Sequence, residues 1–486
     1  MTFPVVGGNQ DTSYEVSNSL NFNNESSPYL ELSTGSANER LFTFSVWARR
    51  QITDARQCIW SSDNNTNDTG DGSRGGSGVE LSFWNDSGGG YIQFGGFGGS
   101  FKIRSNGFAN DLTAWYHIVG IVDTAQGTTN DRGQLWVNGV KQTDYQSMIG
   151  QNTDVKFATN RLGTKSDQAN YGDSTNLGSY FDGYISEFYL IDGSSLDATY
   201  FGEFNNEGNW IPKDYTGSYG THGYRLEFKQ TGTSQNSSGI GADTSGNDKH
   251  FTVNNLAAID VLTDTPTNIF CTLNPATNSE IGNAPTFQEG NRKITMTNYD
   301  VETTFATMGL TRGKWYWEVK GGWKTSNWGL GINKASDMNV GFAVGYFEGG
   351  YSFSQNGYKN TKVSGSQVAT QIDSGLSDGD IIGYALDLDN GHFNFSQNGT
   401  WYNGSATEST TFDTSNHDFT SLDFGDEFVV PCISGFGDSE ITTEINWGQP
   451  TYTGTDQSDA NGYGSFEYAP PSGYYSICTK NLAQFG

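Results

Sequence analysis

Asp378–Gly399 reads DGDIIGYALDLDNGHFNFSQNG. Two alternating apolar runs flank Asn390-Gly391, and both of those residues tolerate the positive φ of a tight hairpin turn. Period-two alternation predicts a hairpin whose arms bring Ile382, Tyr384, Leu386 and Leu388, then Phe393 and Phe395, onto one buried face. The run ends in FSQNG, which also occurs at Phe353–Gly357. A repeat this short does not make a solenoid or propeller, and predicts two hairpins with the same turn chemistry. Upstream, Lys314–Lys320 (KWYWEVK) alternates too, placing Trp315, Trp317 and Val319 on one side and Tyr316, Glu318 and Lys320 on the other. Ile441–Trp447 (ITTEINW) and Phe466–Thr479 close this half of the chain.

The N-terminal half follows the same grammar. Leu41–Arg49 (LFTFSVWAR) sets Phe42, Phe44 and Val46 against Thr43, Ser45 and Trp47, and Trp115–Asp123 (WYHIVGIVD) is apolar enough for a sandwich interior. Gln134–Lys141 (QLWVNGVK) turns at Asn138-Gly139. Gly183–Asp192 (GYISEFYLID) predicts a strand with Tyr184, Ser186, Phe188 and Leu190 on one face. No stretch here holds a helical period for three turns. Between 202 and 289 Gly, Asn, Ser and Thr dominate, yet Trp210, Tyr215, Tyr219 and Phe228 argue for burial rather than a flexible linker. The expected fold is all-β: two antiparallel jelly-roll β-sandwiches in tandem with a small β-containing connector. The expected divisions are an arm at 1–16, a sandwich at 17–201, a structured connector at 202–289 and a sandwich at 290–486.

Composition limits what such a chain can do. It has 486 residues, with 54 acidic against 26 basic, for a net charge of −28. That surface repels phosphate backbones and anionic headgroups, so neither nucleic acid nor a membrane surface is an expected partner. No apolar run has the length of a membrane span, and Met1–Asp11 lacks the basic start and apolar stretch of a secretion signal. Cys58, Cys271, Cys432 and Cys478 form no CxxC pair, so buried free thiols are expected rather than zinc.

The chemistry-bearing residues point to binding more than catalysis. Glycan hydrolysis needs two carboxylates at a fixed separation. The one tight acidic pair on a strand, Asp387 and Asp389, lies at the hairpin end, where a polar turn is the plainer reading. His117, His222, His250, His392 and His417 are scattered, and GxSxG, HExxH and phosphate-binding glycine patterns are missing. No motif requires a cofactor. Calcium is the one candidate ion, from Asp63, Asn65 and Asn67 in Asp63–Gly72 (DNNTNDTGDG), although position twelve is Arg74 instead of a bidentate Glu. Aromatics expected in loops, where they could stack on a sugar, are Trp84, Tyr91, Trp323, Tyr346 and Trp401.

Two resemblances follow from these stretches. Phe42–Ala48, Trp115–Asp123, Gln134–Lys141 and Gly183–Asp192, in that order, resemble a concanavalin A-like or laminin-G-like jelly roll. Lys314–Val319 (KWYWEV), Trp328–Ile332 (WGLGI), Tyr351–Gly357 (YSFSQNG) and Asp378–Gly399 resemble a SPRY domain. The first resemblance implies a ligand site on a concave face or rim loops, with calcium at the rim. The second implies a partner surface at one end, here Gly321–Asn327 and Gly341–Tyr351. The tandem, with Thr265–Pro275 (TPTNIFCTLNP) and Ser476–Leu482 (SICTKNL), is similar to virion proteins of tailed bacteriophages. That implies a non-enzymatic tail-fibre, appendage or adhesion protein at the particle surface, assembled in the host cytoplasm. Its expected partners are other virion proteins and a host-surface glycan or receptor, and a homotrimer is the default. A fibre usually opens with a docking segment and shaft, whereas this chain enters its first sandwich almost at once, which keeps a capsid decoration contacting only virion proteins as the alternative. A glycan-degrading jelly roll is the third reading.

Overall fold

The structure is a computed structural model. It describes residues 14–486 apart from 34–37, 54–55, 64–77, 87–88, 97–100, 156–157, 167–176, 278–284, 297–301, 323–326, 338–343, 347, 364, 405–408, 437–439 and 453. Most of the expected N-terminal arm therefore lies outside the described residues. The chain divides into two compact units between Thr267 and Asn268.

In the first unit one sheet runs in the order Val140–Lys141, Gly133–Val137, Tyr116–Asp123, Leu41–Arg50, Gly183–Asp192, Ser19–Phe22, Val261–Leu262, with Tyr224–Leu226 also pairing Gly183–Asp192. The other runs Asp144–Ser147, Lys102–Arg104, Gly89–Gly96, Val79–Asp86, Gln57–Asp63, Thr159–Leu162, Tyr29–Ser33, Thr252–Asn254. Neighbours are antiparallel, and hairpins of consecutive strands alternate with crossovers between strands far apart in sequence, as in a jelly-roll sandwich. Phe42, Phe44 and Val46 meet Trp60, Leu81, Phe83, Ile92 and Phe94 between the sheets, and all eight are buried.

The segment expected as a connector divides at the unit boundary. Its three-residue strands Tyr224–Leu226 and Thr252–Asn254, and the two-residue Val261–Leu262, extend the two sheets of the first unit, and Ile240, Phe251 and Leu256 join that core. Strands this short carry too few alternations to register as a period.

The second unit pairs a sheet ordered Thr286–Gln288, Lys293–Met296, Ile441–Asn446, Lys314–Gly321, Ile381–Asp387, His392–Gln397, Thr400–Trp401 with one ordered Glu302–Phe305, Val429–Phe436, Asn327–Lys334, Tyr351–Ser354, Tyr358–Val363, Ser366–Gln371. Trp315, Trp317, Ile382, Tyr384, Leu386, Phe393 and Phe395 pack against Leu330, Ile332, Phe353 and Ile433. The opposite face of Lys314–Gly321 is covered as well. Glu318 is buried there, and its carboxylate accepts from Tyr316 Oη at 3.1 Å, Tyr452 Oη at 3.2 Å, Asn446 Nδ2 at 3.2 Å, and the amides of Glu467 at 2.9 Å and Tyr468 at 2.8 Å. Burial raises its pKa against the lowering effect of these donors. The two ends of the unit meet through Cys271 N to Ile477 O and Thr479 N to Ile269 O, both 2.9 Å. Parts of the two segments on which the virion resemblance rests are thus neighbours in space.

Three local expectations change. The Asp378–Gly399 hairpin pairs Asp387 with His392, leaving a four-residue loop in which only Gly391, at φ 67°, is left-handed. The two FSQNG copies differ in turn chemistry. Asn398 and Gly399, at φ 49° and 78°, form the two-residue turn between Gln397 and Thr400, whereas in the other copy Gly357 alone has positive φ and the loop is one residue longer. In Gly183–Asp192 a register shift between Ser186 and Tyr189, with Glu187 at φ 47°, swaps the faces. Ile185, Phe188 and Leu190 face the main core, while Tyr189 and Ile191 pack with Phe201 and Tyr215.

Candidate functional site

The outer face of the second sheet in the first unit brings two of the sequence candidates together. Leu81, Phe83, Ile92 and Phe94 point into the core, so period-two alternation turns Glu80, Ser82 and Trp84, with Tyr91 and Gln93, the other way. Trp84 and Tyr91 lie on neighbouring strands rather than in the expected loops, and they stand directly opposite each other in the register. Both rings are half-buried. The Arg56 guanidinium lies 4.3 Å from the Trp84 ring centroid and that of Arg104 lies 5.1 Å from Tyr91. Arg104 Nε also donates to Gln93 Oε1 at 3.2 Å, which fixes its plane. Phe108, 58% exposed, continues the aromatic surface 5.1 Å from Tyr91.

Backbone contacts hold this edge in place. Gly90 N donates to Asn110 Oδ1 at 3.1 Å and Gly90 O accepts from Ala109 N at 2.7 Å, pinning the loop that carries Phe108. A Cβ on Gly90 would lie 2.4 Å from that same Asn110 oxygen, so a side chain there would displace the amide that holds the loop. Glu80 pairs with Arg56 and lies 4.0 Å from Lys165 Nζ, and Glu31 accepts from Arg161 Nε at 2.7 Å. Aromatic faces with guanidinium and amide donors beside them suit the C–H faces and hydroxyls of a saccharide.

The other sequence candidates go elsewhere. Trp401 is 5% exposed, packed with Tyr316 and Phe412, so the expected open loop aromatic is a strand-borne core residue. Tyr346 is 46% exposed but belongs to the second unit, and Trp323 lies outside the described residues. Asn65 and Asn67 also lie outside them, and Asp63 ends a strand with only its backbone described. Among the described residues no three His, Cys, Asp or Glu converge as metal ligands.

Asp387 and Asp389 brace turns. Asp387 accepts from Asn390 N at 3.0 Å, Asn390 Nδ2 at 2.8 Å and Lys314 Nζ at 2.9 Å, and Asp389 accepts from Gly313 N at 2.8 Å. Those hydrogen bonds and the lysine lower the Asp387 pKa against the opposing effect of desolvation. The four cysteines are free and buried, and desolvation pushes Cys58 and Cys478 to about 11 and Cys271 to about 12. Arg56, Arg104 and Phe108 had no signal in the sequence, because cross-strand register and loop placement bring them to the aromatic pair.

Residues 24–198 match the family described as the concanavalin A-like lectin/glucanases superfamily, of laminin-G type. The fold of that stretch is accordingly a concanavalin A-like jelly roll. Among solved structures, the chain is similar to the SPRY domain of human HERC1 at 14% identity, covering 37% of this chain and 99% of that one, with a TM-score of 0.27. It is similar to a heptameric SAP-like pentraxin from Limulus polyphemus at 14% identity, covering 38% and 80%, with a TM-score of 0.29. A Bacteroides ovatus protein named for carbohydrate binding aligns at 17% identity over 52% of this chain and 62% of its own, with a TM-score of 0.33. No curated protein matches the chain at a significant level.

Proposed function

We propose that the protein is a non-enzymatic carbohydrate-binding protein whose first sandwich recognises glycan through the Trp84–Tyr91 face. The observation that carries this reading is the cross-strand aromatic pair on the outer face of a sheet within a lectin-like jelly roll. Two facts support binding over hydrolysis: Glu31 and Glu80 on that face are engaged by cations, and Asp387 and Asp389 serve a hairpin end. The similarity to tailed-phage virion proteins extends the proposal to a homotrimeric surface or appendage protein that contacts host glycan on one side and other virion proteins on the other. Weak single sites would then act through avidity, since linked copies raise apparent affinity without new contacts.

The test is binding of the purified chain to host cells and to host polysaccharide. Binding that polysaccharide competes away, and that falls at least about tenfold in Trp84→Ala/Tyr91→Ala, is the expected result. Tight association with capsids and no cell or glycan binding would replace this reading with a decoration protein. Released oligosaccharide would replace it with an enzyme.

A further inference from the structure

A cavity of about 730 Å³ opens on the second unit, lined by Asn403, Thr411, Phe412, Thr414, His417 and Thr420 among others. That volume falls within the roughly 300–1,000 Å³ typical of small-molecule sites. Its walls are held from behind. Asp418 is buried, and its carboxylate accepts from Gly404 N and Phe395 N, both at 2.8 Å, tying the cavity rim to the His392–Gln397 strand. Asn394 Oδ1 accepts from Asp418 N at 3.1 Å, which orients its amide so that Nδ2 donates to His417 Nδ1 at 3.0 Å. His417 is therefore a neutral imidazole with its proton on Nε2, and it stacks 3.7 Å from the His392 ring. Phe412 is set edge-on against Trp401 at 4.8 Å and Tyr474 at 5.6 Å, so its ring is a fixed platform.

The chemistry of the lining is polar and nearly without available charge. Among the described lining residues Asp413 is the one carboxylate, and it already accepts from Ser415 N at 2.8 Å and from Ser415 Oγ and Asn416 Nδ2 at 2.6 Å. The hydroxyls of Thr411, Thr414 and Thr420 have no protein partner among the described residues. Each is both donor and acceptor, as every sugar hydroxyl is. A carboxylate at the rim and a net charge of −28 disfavour anions, and three of the roughly four acceptor positions of Asp413 are taken by its own loop. We propose that this cavity is a second saccharide site, one that takes an uncharged mono- or disaccharide with its C–H face on Phe412 and its hydroxyls on the threonines. It shares no residue with the Trp84–Tyr91 face, so either site can fail without the other.

Saturation-transfer NMR and calorimetry on the full chain, with glucose, galactose, N-acetylglucosamine, lactose and cellobiose as probes, test the proposal. Thr411→Val/Thr414→Val removes two exposed hydroxyls that bond to none of the described residues, so the thermal midpoint is expected to stay unchanged. Binding that persists in Trp84→Ala/Tyr91→Ala and weakens about tenfold in the threonine variant supports the second site. Binding lost with the aromatic pair and untouched by the threonine variant overturns this inference while leaving the first site standing. Binding unaffected by either variant overturns both assignments, as does an absence of binding to any sugar, glycan or cell surface.

Discussion

His117 shows how far single-residue chemistry can be read from partners. Trp210 Nε1 can only donate, and it lies 2.9 Å from His117 Nδ1, so that nitrogen is unprotonated and Nε2–H donates to Ser45 Oγ at 2.9 Å. The ring stacks on Trp47 at 4.8 Å and on Trp210 at 5.9 Å, and burial depresses its pKa to about 3. Above the ordinary value of 6.5 the residue is neutral both folded and unfolded. As the pH falls through 6.5 only the unfolded chain gains the proton, so stability drops from there down to about 3. The expected loss by pH 5 is about 2 kcal/mol, absent in His117→Gln, and long-range 1H–15N spectra at pH 5 should still show the neutral Nε2–H tautomer. The turn beside it is as specific. Gly139 sits at φ 78°, and a Cβ there would lie 2.4 Å from the Trp210 ring. Gly139→Ala should cost about 2 kcal/mol by urea midpoint, whereas Asn138→Asp, which keeps an acceptor for His117 N, should cost well under about 1 kcal/mol.

At the scale of elements, alternation was legible wherever a strand ran straight. Leu41–Arg50 and Lys314–Gly321 put the expected residues on the expected faces. Gly183–Asp192 did not, because the reason for its bulge lies outside the strand. Glu187, left-handed and buried, accepts from Tyr14 Oη at 2.8 Å, Tyr189 Oη at 2.6 Å and Arg225 at 3.1 Å. Desolvation raises its pKa against the pull of Arg225. Arg225→Met leaves that carboxylate buried without its cation and is expected to cost about 3 kcal/mol. Adding Glu187→Gln should recover part of the loss, and an unchanged m-value would show that the denatured state is not the cause. The FSQNG copies teach the same lesson, since five identical residues adopt different turns when the strands around them pair in different registers. The Trp84–Tyr91 site was half legible. Each ring was a candidate by type, but their adjacency and the arginines beside them come from register.

Across the whole molecule, the boundary is the sharpest test. Ending the chain at Phe201 removes Tyr224–Leu226, Thr252–Asn254 and Val261–Leu262 from the two sheets and uncovers Phe188 and Leu30. Residues 14–267 should unfold in one cooperative transition, while residues 14–201 should aggregate or bind a hydrophobic dye without one. The sequence alone determined the all-β class and the two sandwiches, because period-two alternation and Asn-Gly turns are local properties. Only the tertiary structure decided the unit boundary, the bulge at Glu187, the burial of Trp401 and the pairing of Trp84 with Tyr91. Each of these depends on contacts between residues far apart in the chain, where register and desolvation act and no local pattern records them.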